Sequence, residues 1–134
     1  MDISIYTSYF HDGSIIDIKH FGNKIEISMQ SAEMHEEDLK DPIPLSKFYR
    51  IKGILHLEGV KYIKDNDQPF LGTLKMFHDG GGILHLEIIK NRINLSIDWR
   101  NYPPNPDVTA YSFFEIEAEK IWWETIPDLG SPVW

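Results

Sequence analysis

Apolar and polar residues alternate through most of this chain. Ile16, Ile18 and His20 fall on one face of an extended segment, and Asp17 and Lys19 on the other. Gly22-Asn23 follows, then Ile25, Ile27 and Met29 alternate with Glu26, Ser28 and Gln30. Two period-two runs joined by a Gly/Asn turn predict a β-hairpin with one buried face. The pattern returns downstream. Leu84, Leu86 and Ile88 alternate with His85 and Glu87; past Asn91-Arg92, Ile93, Leu95, Ile97 and Trp99 alternate with Asn94, Ser96 and Asp98. A slip of one residue would carry each apolar set to the wet face, so the pairing register is well specified.

The two hairpins are also alike letter by letter. Phe10-His11-Asp12-Gly13 returns as Phe77-His78-Asp79-Gly80, and with Gly81 skipped, residues 10–30 align with 77–98 at 8 of 21 identical positions. Self-similarity at a long fixed spacing reports a duplicated unit. Residues 3–9 and 70–76, each leading into a His-Asp-Gly, are predicted strands, and 53–62 corresponds to 114–123. The pentapeptide Ile-Leu-His-Leu-Glu occurs at 54–58 and at 83–87. Those places are not equivalent in the two halves, so it is read as a good half-buried strand used twice. Each half, 1–67 and 68–134, therefore reads as four strands within a single domain. The expected fold is all-β, with about eight antiparallel strands. Two pseudo-symmetric four-strand halves would form a two-sheet sandwich or a flattened barrel. The 31–47 loop carries Glu33, His35, Glu36, Glu37, Asp38 and Asp41 before Pro42 and Pro44, which stop the single helical turn predicted there. Residues 65–68 connect the halves, the Pro-rich 100–109 loop is extended, and 127–134 is a tail.

Composition narrows the function classes. A chain of 134 residues can bury one core. No apolar run reaches a membrane-spanning length and no secretory signal opens the chain, so a cytoplasmic protein is expected. The absence of cysteine excludes disulfides, thiol catalysis and zinc-thiolate sites. A net charge of −8 speaks against nucleic-acid binding and suits a basic protein partner.

Candidate chemistry is sparse. His11, Asp12, His78 and Asp79 could converge as a two-His, two-Asp metal site, but Asp-Gly is first a turn former, and the spacing matches no metal pattern. His56 with Glu58, and His85 with Glu87, share strand faces and could act as general bases or be solvated cross-strand pairs. His20, on an apolar face, reads as a satisfied core residue. There is no nucleophile motif, and Gly80-Gly81-Gly82 lacks the following helix of a phosphate cradle. The chain is accordingly read as a non-enzyme without a cofactor. The candidate binding residues are acidic and aromatic: Glu36, Glu37, Asp38, Tyr102, Trp122 and Trp123. Adjacent strand residues point to opposite faces, so one of Trp122 and Trp123 is either on the surface or covered by the tail.

The His-Asp-Gly turn, the Ile-Ile-Asp-Ile and Ile-Glu-Ile-Ser arms and the Leu-Glu-Gly-Val stretch resemble small bacterial all-β proteins, among them immunity proteins encoded beside polymorphic toxins. The resemblance implies an acidic inhibitor that occludes a toxin's active site, and it assigns no residue a role. The expected function is a non-enzymatic module that binds another, basic, protein, as a monomer or homodimer. One rival is a small-ligand- or metal-binding barrel, open to catalysis, with the two His-Asp pairs at its mouth. The other is a homo-oligomer joined through unpaired edge strands and an exposed tryptophan.

Overall fold

A computed structural model describes residues 2–129. Its strands are β1 (Ser14–Phe21), β2 (Lys24–Gln30), β3 (Lys52–Asp65), β4 (Gln68–Pro69), β5 (Gly80–Ile89), β6 (Arg92–Arg100) and β7 (Ala110–Thr125). All seven belong to one antiparallel sheet of order β2-β1-β5-β6-β7-β3-β4, and β2 also pairs with β3, so the sheet closes into a ring. The ring is long on one side and short on the other. The β3–β7 ladder runs from Gly53 opposite Thr125 to Asp65 opposite Phe114. The β1–β5 seam pairs only Ser14 with Gly82 and Ile15 with Gly81.

Side chains fill the ring. Ile25, Ile27 and Met29 of β2, Leu55 and Leu57 of β3, Leu95, Ile97 and Trp99 of β6, and Phe114 and Ile116 of β7 are all buried. Each such side chain contributes roughly 1.5–3 kcal/mol on leaving water. The interior is therefore a packed core.

Two of the expected strands take other forms. Residues Ile3–Phe10 make a 3-10 helix. Its buried positions, Ile3, Tyr6 and Phe10, are spaced by three and four, which suits a helix and not a strand. The Asp2 carboxylate caps it by accepting from the Ser4 N–H at 2.9 Å. Residues 70–76 form no strand. Pro69 offers no N–H to extend the β3–β4 pairing, Phe70 N–H makes a last bond to the Ile63 carbonyl, and the chain departs. It next meets β1, where Leu74 N–H donates to His20 Nδ1 at 2.8 Å. His20 is thus satisfied as expected, but it is half-buried at the edge of β1 and not a core residue. The 3-10 helix likewise packs on β5.

The long ladder is irregular at Lys61, an extra residue between Val60 opposite Ala118 and Tyr62 opposite Glu117, and strict alternation fails at two further places. Ile16 is an extra residue between Ile15 opposite Met29 and Asp17 opposite Ser28, and Leu84 is an extra residue between Ile83 opposite Ile97 and His85 opposite Ser96. Each bulge rotates its strand, so Ile15 with Ile18, and Ile83 with Leu86, enter the core while Leu84 turns outward. The connection at 65–68 is a two-residue hairpin turn, with Asn66 and Asp67 both at positive φ. At the middle of the long ladder, Val60 N–H donates to the Asn23 carbonyl and Ala118 N–H to the Asn91 carbonyl. No helix among the described residues is long and apolar enough to cross a membrane.

Candidate functional site

The acidic loop between β2 and β3 is held in place by the residues around it. Ser31 N–H donates to the Ile51 carbonyl, and Ser31 Oγ accepts from Ile51 N–H, which ties the loop's two ends together. Tyr6 and Tyr9 rise from the 3-10 helix. Tyr6 Oη donates to the Asp41 carbonyl at 2.8 Å and Tyr9 Oη to the Asp38 carbonyl at 3.1 Å. Burial, then the Asp41 charge, push the Tyr6 hydroxyl above its ordinary pKa, so it remains a donor. Met34 N–H donates to the Tyr49 carbonyl, which closes the loop from the far side. The predicted helical turn is present as a 3-10 turn, Glu36–Asp38.

Pinned this way by its backbone, the loop points its charges outward. Glu33, Glu36, Glu37, Asp38 and Asp41 are all exposed. Among the described residues none of these carboxylates has an ion-pair partner, although Lys40 lies within the run. Leu39, Pro42 and Ile43 line a cavity of about 430 Å³ beside Glu36 and Glu37. Phe48 and Tyr49, where the chain returns toward β3, are also exposed, and Tyr49 sits at φ 61°. A bulky side chain in the left-handed region is strained by about 1–3 kcal/mol and persists only where its surroundings impose it. Sequence reasoning missed Phe48 and Tyr49. The 46–50 segment contains no glycine, so nothing in its letters marks a positive φ.

Trp122 lies elsewhere, on the outer face of β2, β3 and β7. Glu26 is opposite His56 and His56 is opposite Trp122, which makes one row across three strands. The His56 and Trp122 rings stack at 4.0 Å and 6°. His56 Nε2 meets Glu124 at 2.9 Å and Nδ1 meets Glu26 at 3.5 Å, and the Trp122 indole N–H donates to the Glu58 carboxylate. The expected pairing of His56 with Glu58 is therefore replaced. Lys24 and Lys120 stand on either side of Glu58 in the next row, so this face is nearly charge-compensated. Trp123 points inward. It is 6% exposed, with its indole N–H on Thr125 Oγ1 and its ring edge-on to Phe10. It belongs to the core and cannot be a surface contact. Cover of Trp122 by the 127–134 tail falls largely outside the described residues. His85 is exposed, and Glu87 accepts from Asn94 instead.

The two His-Asp-Gly corners share letters but differ in structure. At the first, Asp12 itself takes the left-handed conformation, at φ 67°. Gly13 passes so close to β2 that a Cβ would lie 2.2 Å from the Gln30 carbonyl oxygen. His11 Nδ1 donates to the Leu84 carbonyl at 2.6 Å across the seam. At the second, Asp79 accepts from Tyr102 N–H at 2.8 Å and from Asn105 Nδ2 at 2.9 and 3.1 Å. The Asn105 amide foremost, then Tyr102 N–H, hold its carboxyl below the ordinary aspartate range. These groups shape turns and loops. Among the described residues no three His, Asp or Glu side chains gather as a metal site. Tyr102 is exposed and lines a separate seam cavity of about 300 Å³, with Asp12, Asp98 and Arg100. The six binding candidates thus divide among the acidic loop, the seam, the Trp122 face and the core. Comparison with protein-family models, with curated proteins and with solved structures finds no match for this chain.

Proposed function

We propose that the protein is a non-enzymatic binding module whose acidic loop, residues 33–41, docks a basic region of another protein. The observation that carries this reading is a run of five carboxylates without cation partners among the described residues, presented on a backbone that Tyr6 and Tyr9 hold in place. Ordering costs little on binding when the loop is already fixed, and unneutralised charge steers a basic partner to it. Leu39, Pro42, Phe48 and Tyr49 supply the apolar contacts that carboxylates alone lack. An immunity-type inhibitor of a basic toxin is a module of this kind. The test is capture from native-host lysate by the wild-type protein and by a Glu36→Gln/Glu37→Gln/Asp38→Asn variant, with identification of what differs. The expected result is a basic protein retained only by the wild type and released by salt. Identical recovery by both proteins would overturn the assignment.

We propose further that the ring is a closed six-strand barrel formed by gene duplication, with β4 as an appendage and a two-fold axis through both ladders that join the halves. Ser14 pairs with Gly82, its equivalent in the repeat, and the bulges at Ile16 and Leu84 are also equivalent. The bonds to Asn23 and Asn91 are a third such pair. A crystal structure in which the backbones of 10–30 and 77–98 fail to superpose would remove the duplication.

A further inference from the structure

The last part of β7 has β3 on one side and, among the described residues, no strand on the other. β6 accompanies β7 only as far as Glu117. Past the Asn91 contact, Lys90, Ile88 and the Asp2–Ser4 start of the 3-10 helix stand off from Ile121 and Trp122 across a cavity of about 350 Å³. Ile126 N–H donates to the Lys52 carbonyl, which sets the phase of the ladder. Lys120, Trp122 and Glu124 turn their backbone groups toward β3, so Ile121 and Trp123 turn theirs to the open side. At Ile121 and Trp123, where no strand lies alongside among the described residues, this edge is a template for another strand.

We propose that the strand it takes is the same edge of a second copy of this chain, running antiparallel. On the outer face the edge reads cation, indole, carboxylate: Lys120, Trp122, Glu124. Inverted, that order is its own complement. Lys120 of each copy lies opposite Glu124 of the other, and Trp122 faces its own counterpart. Ile121 exchanges both backbone hydrogen bonds with Trp123 of the second copy. Neighbouring registers that keep the backbone phase set Lys120 or Glu124 against Trp122 and lose both ion pairs. Glu124 has an oxygen to offer, because His56 engages only Oε1. Such an isologous contact closes at two copies. The interface is small, so the dimer is weak and its formation depends on protein concentration. The inference is independent of the acidic loop, and the two are tested on different residues.

Sedimentation equilibrium of the full chain, up to about 1 mM to reach a small interface, tests it with two variants. Wild type should pass from monomer to dimer, and the amides of Ile121 and Trp123 should become more protected from exchange as concentration rises. Lys120→Glu places like charges opposite each other at two symmetry-related points and should weaken the dimer about tenfold or more. Lys120→Glu combined with Glu124→Lys exchanges the charges and should return the dissociation constant to within about threefold of wild type. Should the double substitution disturb His56, the concentration-dependent protection of Ile121 and Trp123 in the wild type still decides the matter. A wild type that remains monomeric, or a dimer indifferent to Lys120→Glu, overturns the proposal.

Discussion

Replacing Trp123 by alanine removes the indole that packs against Phe10 and leaves a hole in the core. The expected cost is about 3–5 kcal/mol. Trp122→Ala, one residue earlier, loses a stack on His56 and a bond to Glu58 at the surface, and should cost only about 1 kcal/mol. Urea denaturation of the two variants checks the contrast; equal losses would mean that Trp122 is buried in solution. The split between these neighbours is legible from strand geometry. Which of them faces inward is not, because that depends on the register with β3. Asp79 offers a test by pH. Its carboxyl is held below the ordinary aspartate value of 3.8 in the folded protein. The ionised form is therefore favoured by folding, and its stabilising contribution is present above that value and lost as pH falls through the lower, folded one. The Tyr102 amide, followed by NMR, should keep its bonded shift below pH 3.8 and then move. In Asp79→Asn that transition should vanish.

Among the elements, the pentapeptide Ile-Leu-His-Leu-Glu shows how far local letters reach. In β3 it buries Leu55 and Leu57; in β5 it buries Ile83 and Leu86 and exposes Leu84. The same five residues face different ways because a bulge interrupts the second copy. The bulges of β1 and β5 fall where two apolar residues are adjacent, Ile15-Ile16 and Ile83-Leu84, whereas the one at Lys61 of β3 has no such mark. That doubling was the available signal, and a search for strict alternation passes over it. The hairpins and the turn positions were legible, since alternation and Gly/Asn placement specify them locally. The 3-10 helix was not, because Ile3–Phe10 is rich in strand-forming Ile, Tyr, Thr and Phe, and which of them are buried emerges only from the folded chain. A further consequence at this scale is uneven local stability. The β1–β5 seam, joined at Ser14 and Ile15, should open before the β3–β7 ladder does. In native-state hydrogen exchange, the Asp12 and Ile83 amides, which donate across the seam, should exchange at least about tenfold faster than that of His56. Equal protection would show that the ring opens only as a whole.

For the whole molecule, the net charge of −8 is unevenly placed. Glu115 and Glu117 on β7 lie near Lys64 and Lys61, and Glu58 lies between two lysines, whereas the 33–41 loop has no such company. Composition made acidity plain, and the pairing of Lys61, Lys64 and Arg100 with carboxylates outside the loop could not be read from it. The arrangement of the two leading segments bears on how the chain comes to be folded. The 3-10 helix of the first half lies over β5 of the second, and residues 70–76 of the second half lie over β1 of the first, through Leu74 and His20. Each half thus lends the other its cover. Neither can finish its own surface while it is alone, and the longest ladder waits for Thr125. During synthesis the first half must therefore emerge with β1 and β3 each bare along one side. The chain folds late, after both halves have been made, and until then it presents chaperones and neighbouring nascent chains with strand edges that the finished ring conceals.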